Sequence, residues 1–415
     1  MSPTDGVAER TRGPFRRIAY VLAVTAFGAG VPTPLYSIYQ REYAFSSTVL
    51  AAIFASYTVG VLLTMFLLAP QADLVGTRPI LYVGMLLTVL SGVLFLLANG
   101  VLALAAARFV SGLAVGATTG TATVSMTHRE PHLDKHHVAR VAVGANFGAV
   151  ATGILVSSLS VAYLPDPRQL VYVFLVASAL LGLLAIRVTP PHYHPGPGAT
   201  RLRIRHISVP RSIRAPFWIS AGGVAACYAI YGFFASLAPA AVREATGIAP
   251  FEASAFVSVM FAGAAIVQIF LGQVRDRDAL LLGLPMLALS LLLFVLSLPL
   301  ASLPVLLGSG VLMGVAVGYV YMGAVTLVDR VAPDAVGGEV LSGFFLTGYL
   351  SLAVPTLGTA FLADHVGAAA SGTAFGLALG VFVLLTYLAT RRTSLPPGGE
   401  GRPHEQQKAR PFVHF

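Results

Sequence analysis

The sequence predicts an all-α integral membrane protein with twelve transmembrane helices in two six-helix bundles related by an internal repeat. Only 10% of its 415 residues are charged, whereas a soluble domain has about 25%. Apolar runs of roughly 20 residues, long enough to cross a bilayer, recur along the chain. The predicted spans are 16–39, 48–69, 79–98, 101–126, 138–162, 169–188, 216–239, 253–273, 279–298, 304–328, 340–362 and 371–390.

An internal repeat supports the two bundles. Landmarks of the first half recur in equivalent spans of the second half, at offsets of 202, 203 and 202 positions: Arg41-Glu42 with Arg243-Glu244, Asp73 with Asp276, and Gly112 to Gly116 with Gly314 to Gly318. We therefore predict an N-terminal bundle (1–188), a cytoplasmic linker (189–215), a C-terminal bundle (216–390) and a cytoplasmic polar tail (391–415).

The distribution of basic residues predicts the orientation in the membrane. With the N-terminus inside, 22 of the 26 Lys and Arg residues fall on the inner side and three on the outer side, and Arg108 lies within a span. Since inner loops of membrane proteins are enriched in Lys and Arg, we predict that both termini are cytoplasmic. The net charge of +9 then reflects topology, and a nucleic-acid partner is not expected.

The loop between the second and third spans carries an Asp-x-x-Gly-x-Arg pattern, formed by Asp73, Gly76 and Arg78. This stretch resembles the loop between helices 2 and 3 of the major facilitator superfamily, whose pattern is Gly-x-Leu-Ala-Asp-Arg-x-Gly-Arg-Arg/Lys. Ala69, Leu74 and Thr77 depart from that pattern. The resemblance implies a twelve-helix transporter of the drug-efflux type, in which the loop helps to close the inner face.

The second half contains a shorter version of this loop motif, Gly272-Gln-Val-Arg-Asp276-Arg277. It keeps the acid and the base but lacks the following glycine. We assign Asp276 and Arg277 to the gating loops together with Asp73, Gly76 and Arg78. The alternative is a charged inner turn that only follows the topology rule.

Arg108 is the ionisable residue that the sequence places well inside a span. Burial of an arginine at the bilayer centre costs about 2.5–3.5 kcal/mol even on the lower scales. The stretch Leu104-x-x-x-Arg108-x-x-Ser111-Gly112 resembles the fourth-helix motif of the family, Leu-x-x-x-Arg-x-x-Gln-Gly. There the arginine is tied to proton coupling or to substrate charge. The alternative is a structural arginine that bonds helix carbonyls.

Three glycines of the fifth span, Gly144, Gly148 and Gly153, resemble the antiporter motif of the family, Gly-x-x-x-Gly-Pro-x-x-Gly-Gly. Ala149 replaces the proline, and Thr152 replaces the first of the paired glycines. This resemblance favours export over import. The alternative is close packing of helices through small residues.

Several polar side chains within apolar spans are candidates for the substrate cavity: Tyr36, Tyr57, Asn146, Tyr231, Gln268, Tyr319 and Tyr321. For each of them, packing with a hydrogen bond to a neighbouring helix is the alternative. We place no Asp or Glu in the middle of a span, so a bulky apolar or aromatic substrate is expected in preference to a multiply charged cation. Pro32, Pro34 and Pro355 are expected to break or bend their helices.

Metal-dependent and other enzymatic chemistry find little support. His128, His132, His136 and His137 cluster in an inner loop, but Pro131 interrupts any helix that would align them, so no metal site is predicted. The single cysteine, Cys227, excludes an intrachain disulfide and a cysteine metal cluster. The sequence lacks the Gly-x-Ser-x-Gly and His-Glu-x-x-His motifs of hydrolases and a phosphate-binding loop with a lysine after a glycine, so we do not expect an enzyme.

These observations together predict a secondary transporter of the cell membrane. We expect a monomer in the lipid bilayer that needs no cofactor and exports a small hydrophobic or amphipathic molecule by proton antiport. The second hypothesis is uptake of a neutral metabolite, and the third is a transporter-like receptor that binds without moving solute.

The predicted topology has a direct test. Cysteines introduced one at a time in a Cys227→Ala background should react with an impermeant reagent on intact cells when they lie in 243–250 and stay unlabelled when they lie in 195–210. Labelling of the 195–210 segment on intact cells would reverse the assigned orientation.

Overall fold

The computed structural model describes residues 3–68, 71–129, 135–190, 207–248, 250–270, 274–333 and 336–393. Within these ranges the chain forms α-helices, one short 3-10 helix at Arg211–Ile213 and no strand. The helices are α1 (Pro3–Gly30), α2 (Pro32–Tyr43), α3 (Ser47–Leu67), α4 (Ala72–Val75), α5 (Thr77–Leu96), α6 (Val101–Arg129), α7 (Lys135–Tyr163), α8 (Pro167–Arg187), α9 (Arg214–Ser236), α10 (Ala238–Thr246), α11 (Pro250–Phe270), α12 (Asp276–Leu300), α13 (Leu303–Val331), α14 (Gly337–Val366) and α15 (Ala368–Arg392).

Twelve helical segments of the described chain are long and apolar enough to cross a membrane, from Gly13–Tyr43 to Ala368–Arg392. Each predicted span overlaps one of them in the same order, so the all-α, twelve-span prediction is confirmed. The exact boundaries of the predicted linker and tail stay predictions, because residues 191–206 and 394–415 lie outside the described part.

The first span of each half is interrupted near its outer end. Helix α1 ends at Gly30 and α2 begins at Pro32, while α9 ends at Ser236 and α10 begins at Ala238. Prolines at the start of the second segment in both halves lack the N–H that would continue the helical ladder. Pro355 does not break its helix, since it lies inside the continuous helix α14, and the expected bend there stays a prediction.

The repeat is visible as equivalent contacts within the two halves. Glu42, at the end of the first span, forms an ion pair with Arg168 in the first turn of α8. Glu244, its repeat equivalent, accepts a hydrogen bond of 2.8 Å from the backbone N–H of Ala368 at the start of α15. In both bundles a carboxylate therefore ties the first span to the start of the sixth.

The repeated glycines serve close helix packing. A Cβ atom on Gly112 would lie 2.1 Å from the carbonyl oxygen of Tyr57, and one on Gly314 would lie 2.3 Å from the carbonyl oxygen of Met260. Within lipid, van der Waals contact between helices replaces hydrophobic association, so small residues at crossings contribute directly to stability. The glycines bring α6 against α3, and α13 against α11, at corresponding points of the repeat.

We name the two ends of the spans by the predicted topology, so that the ends near Tyr43 and Ser47 are outer.

The bundles meet mainly where α3 packs on α14 and α7 packs on α11. On the second pair, the Ser258 hydroxyl donates to the carbonyl of Ala151 at 2.7 Å.

A polar contact joins the bundles at the outer end. The carboxylate of Asp364, near the end of α14, accepts hydrogen bonds from the backbone N–H groups of Ser47 (2.8 Å) and Thr48 (2.9 Å) at the start of α3. The N-terminus of a helix carries unpaired N–H groups and a partial positive charge, which favour a carboxylate there. We call this contact the outer clasp, and it holds the outer ends of α3 and α14 together.

We expect Asp364→Ala to open the outer end more often. An exposed carboxylate at a helix N-terminus contributes about 0.3–1 kcal/mol, so its loss should raise the population of outward-open molecules by roughly two- to fivefold. The measurement is the rate at which an impermeant maleimide added to intact cells labels Tyr349→Cys in a Cys227→Ala background.

Glu244→Ala is the matched control, because Glu244 also caps a helix start but within one bundle. It should leave the labelling rate of Tyr349→Cys unchanged. Equal labelling of the Asp364→Ala and unmodified proteins would mean that the clasp does not hold the outer face.

Candidate functional site

Arg108 is the charged side chain around which the site is arranged. It lies seven residues after Val101, the first residue of α6, and therefore about 10 Å below the outer end of that helix. Only 2% of its surface is exposed. A guanidinium keeps its charge in proteins, so this position places a full positive charge in a region of low dielectric.

One hydrogen bond of the Arg108 guanidinium goes to the backbone. Its Nη1 donates to the carbonyl oxygen of Ala29 at 2.9 Å. Ala29 lies at the end of α1, where the interruption before Pro32 leaves carbonyl groups without helical partners. This contact agrees with the structural alternative for Arg108, but it uses only part of the donor capacity, and Nε has no hydrogen-bond partner.

Aromatic rings surround the rest of the guanidinium. Its central carbon lies 4.7 Å from the ring centre of Tyr57, 4.9 Å from that of Phe54 and 6.0 Å from that of Tyr36. Rings attract a cation through their negative faces, and the attraction grows when water is excluded. The rings stabilise the charge without neutralising it.

Carboxylates do not compensate this charge in the described part of the chain. The ion pairs found there are Glu42 with Arg168 and Asp276 with Arg330, and each lies at helix ends within one bundle. Arg108 therefore has no acidic partner among the described side chains. An unpaired buried charge of this kind is a functional-site indicator in membrane proteins.

The repeat equivalent of Arg108 shows that the charge belongs to one bundle. Gly310 occupies that position in α13, and Phe256 fills the space beside it, 2.4 Å from where a Cβ atom would stand. Phe256 is itself the repeat equivalent of Phe54. The C-terminal bundle thus uses an apolar ring where the N-terminal bundle holds a guanidinium.

Aromatic residues from both bundles meet between them, near the middle of their helices. We call this cluster the aromatic junction; it consists of Tyr57 and Phe147 from the N-terminal bundle and Tyr228, Tyr231, Phe261, Tyr321 and Tyr349 from the C-terminal bundle. Phe147 lies 5.4 Å from Tyr231 and 5.5 Å from Tyr321, between ring centres. The junction therefore joins α7 to α9 and α13 through ring contacts.

The junction continues towards Arg108. Tyr228 lies 5.0 Å from Tyr349 between ring centres, and Tyr349 packs against the buried cluster that contains Tyr57. Tyr57 in turn contacts the guanidinium of Arg108. Side-chain contacts thus lead from the bundle interface, through Tyr349 and the cluster that contains Tyr57, to the buried charge.

The predicted cavity residues divide between the junction and other places. Tyr57, Tyr231 and Tyr321 lie in the junction, and Tyr36 lies beside Arg108. Tyr319 instead packs with Val267 and Ala279 inside the C-terminal bundle.

Two further predicted residues carry amide side chains. Asn146 is half-buried beside Phe147 on α7. Gln268 is buried on α11, and its Nε2 has no hydrogen-bond partner. Both amides remain candidates for polar contacts with a bound molecule.

The gating-loop residues contact their own bundles. Gly76 adopts a positive φ of 83° at the start of α5, a conformation that favours glycine. Arg78 donates to the carbonyl of Arg187 at 2.8 Å, at the end of α8. In the second half, Asp276 pairs with Arg330 at 2.7 Å and not with the neighbouring Arg277. The side chain of Asp73 lies outside the described part, so its predicted gating role stays untested.

The three glycines of the predicted antiporter motif face different helices. Gly144 and Gly148 face α11 of the other bundle, where a Cβ on Gly144 would lie 2.4 Å from the Ile269 side chain. Gly153 faces α1, with the carbonyl of Phe27 at the same distance from its Cβ position. Two of the three therefore support contact between bundles, and the third supports packing within one.

The side chains of the predicted histidine cluster, from His128 to His137, lie outside the described part of the chain. In the part that is described, no group of His, Cys, Asp and Glu is arranged to hold a metal ion.

Phe147, Tyr228, Phe261, Tyr349 and Asp364 are site residues that the sequence analysis did not select. Tyr228 stands three positions before Tyr231, so helical periodicity places both on one face and was an available signal. Phe147, Phe261 and Tyr349 have no local signal, because an aromatic residue in an apolar span resembles any lipid-facing residue. Asp364 has none either, because an acid at the end of a span resembles any other residue of a polar loop.

A cavity of about 480 Å³ lies elsewhere, between α9, α14 and α15. Its lining includes Ala229, Gly358 and Phe382, and the last of these is exposed on the outer surface of a spanning helix. The Thr359 hydroxyl in its wall donates to the carbonyl of Pro355 in its own helix. This apolar crevice opens towards lipid and is separate from the aromatic junction.

Comparison with known proteins identifies the family. The profile of the Major Facilitator Superfamily matches residues 18–356. The fold resembles the crystal structure of the nucleoside transporter NupG with a TM-score of 0.71 and 12% identity, covering 92% of this chain and 98% of that one. It also resembles the human organic anion transporter MFSD10 (TETRAN) with a TM-score of 0.67 and 15% identity, covering 94% of this chain and 100% of that one.

No curated protein sequence matches the chain. At these identities the solved structures establish the fold, whereas the sequence profile spans most of the chain and establishes the family. The chain belongs to the Major Facilitator Superfamily, and the family and its solved relatives indicate a transporter rather than an enzyme.

Proposed function

We propose that this protein is a secondary active transporter that exports small amphipathic organic molecules with an aromatic or apolar body across the cell membrane. The observation that carries the proposal is the aromatic junction, to which both bundles contribute rings. A molecule bound there touches both bundles at once, so it can bias their relative position. Rings offer apolar area with defined stacking geometry, which suits flat or aromatic solutes.

Alternating access follows from the same arrangement. The outer clasp and the packing of α3 on α14 close the outer side above the junction. Transport then requires these helices to separate at their outer ends while the opposite ends approach. Substrate sites of such repeated bundles lie near the midplane, at the interface of the repeats.

The family resemblance implies proton antiport, in which the proton gradient drives export. The buried charge of Arg108 supports it, since a second positive charge is disfavoured near a guanidinium in low dielectric. In the described spans every acid lies near a helix end, so a proton carrier would be one of those end groups. Uptake of a neutral metabolite is the second candidate, favoured by the phenol groups that accompany the rings of the junction.

The junction is tested by removing one ring at a time. Tyr231→Ala and Tyr321→Ala should raise the apparent KM for transported compounds by about 10- to 100-fold, because each loses a ring contact worth about 1.5–3 kcal/mol. Tyr387→Ala, a half-buried tyrosine of α15 outside the junction, is the matched control and should leave KM unchanged.

The transported compounds are first identified by the survival of an efflux-deficient host challenged with a compound panel, and their flux is then measured in proteoliposomes. Export predicts higher survival with the protein than without it. Greater sensitivity with the protein would favour uptake. Equal KM values for the junction variants and the control would contradict the assigned site, and flux that ignores an imposed pH gradient would contradict proton antiport.

A further inference from the structure

We infer that the substrate is an organic anion with an aromatic body, and that Arg108 provides the positive charge that balances it. This inference rests on the proposed transport function and adds the chemical class of the solute. Its basis is the combination of a buried guanidinium that has no acidic partner among the described side chains and the side-chain contacts that lead from the aromatic junction to that guanidinium.

The first argument concerns charge. The groups that surround Arg108 are the carbonyl of Ala29 on α1 and the rings of Tyr36, Phe54 and Tyr57 on α2 and α3. None of these carries a negative charge at neutral pH. An arriving anion would therefore meet an uncompensated charge, whereas an arriving cation would be repelled.

The second argument concerns hydrogen-bond donors. A guanidinium has five N–H groups in a planar fork that matches the oxygens of a carboxylate, sulfonate or phosphate. Arg108 uses one nitrogen for Ala29, and its Nε lacks a partner. In the junction, the buried hydroxyl of Tyr231 also lacks a partner. Unused donors without nearby acidic acceptors suit an anionic ligand.

The third argument concerns access. Tyr57 contacts both the guanidinium and the cluster into which Tyr349 packs. When α3 and α14 separate at their outer ends, Tyr349 moves away from Tyr57, and the space beside the guanidinium opens towards the junction. The aromatic body of the solute would then replace ring contacts that the two bundles make with each other in the closed state.

This charge assignment also changes the energetics of export. A monovalent anion that leaves the cell moves outward through an inside-negative membrane potential, which favours its exit. A proton that enters in exchange moves a further positive charge inward, so the same potential favours both halves of the proposed antiport cycle.

The test uses three probes with one ring system: naphthalene-sulfonate, its neutral sulfonamide, and a naphthyl-trimethylammonium cation. Protein-dependent uptake is measured in proteoliposomes with an inside-positive potential set by valinomycin and a potassium gradient. We expect the sulfonate to enter at least tenfold faster than the other two probes, and its uptake to rise with the potential. Arg108→Gln should lose at least tenfold of the sulfonate flux, while Arg108→Lys should retain part of it.

Arg41→Gln is the matched control, because Arg41 is exposed at the outer end of the same bundle; it should transport the sulfonate as the unmodified protein does. A melting curve of each purified variant separates loss of transport from loss of folding. If Arg108→Gln unfolds, the test relies on the Arg108→Lys protein. A complete loss of sulfonate preference in folded Arg108→Lys would contradict the inference.

Equal transport of the sulfonamide or the cation, or a sulfonate preference that survives in folded Arg108→Gln, would overturn the anion assignment and leave the transport proposal intact. Sulfonate flux that does not change with the membrane potential would contradict the inferred transfer of negative charge across the membrane. Failure of all three probes to move through the unmodified protein would count against the proposed function itself.

Discussion

The contact between the two bundles is the constraint on which the rest of this structure depends. A lipid environment gives no hydrophobic reason for the bundles to associate, so their contact relies on close packing and a few directional bonds. Small residues on α7 allow it to approach α11, and α3 meets α14 through rings and the outer clasp. A contact made of individually weak interactions can open and close, which alternating access requires.

The two halves of the repeat differ at the buried charge. Duplication produced two bundles with matching glycine crossings and matching carboxylates at their outer ends. One pair of equivalent positions differs sharply, since Arg108 faces Phe54 in one half while Gly310 faces Phe256 in the other. Packing alone does not require a guanidinium there, because the C-terminal bundle fills the same position with a ring. The charge therefore supports the proposed binding of an anion that passes between the bundles.

The sequence predicted those features that depend on local composition. Hydropathy located all twelve spans, and prolines located the break between α1 and α2. Arg108 was recognisable because a charge inside an apolar run is costly and therefore rare. The burial of its side chain agrees with that reasoning.

Features created by the meeting of distant segments could not be predicted in this way. Asp364 bonds Ser47 across 317 positions, and no local pattern links a residue at the end of one span to the start of another so far away. Phe147 and Tyr349 belong to the junction only because of how the bundles face each other. Tyr319 is an opposite case. It lies two positions from Tyr321 in the same apolar span and was predicted to line the cavity for the same reason, but its side chain packs within the C-terminal bundle.

The central claim is that the bundles rock about the aromatic junction, so that the outer and inner ends open in turn. Distances between spin labels test it most directly, with one pair at Thr48 and Val366 on the outer ends of α3 and α14, and one pair at Leu67 and Glu339 on the inner ends of the same helices. Upon addition of a transported compound, the account predicts that a population with a longer outer distance also has a shorter inner distance. Distances that stay fixed, or that lengthen together at both ends, would contradict it.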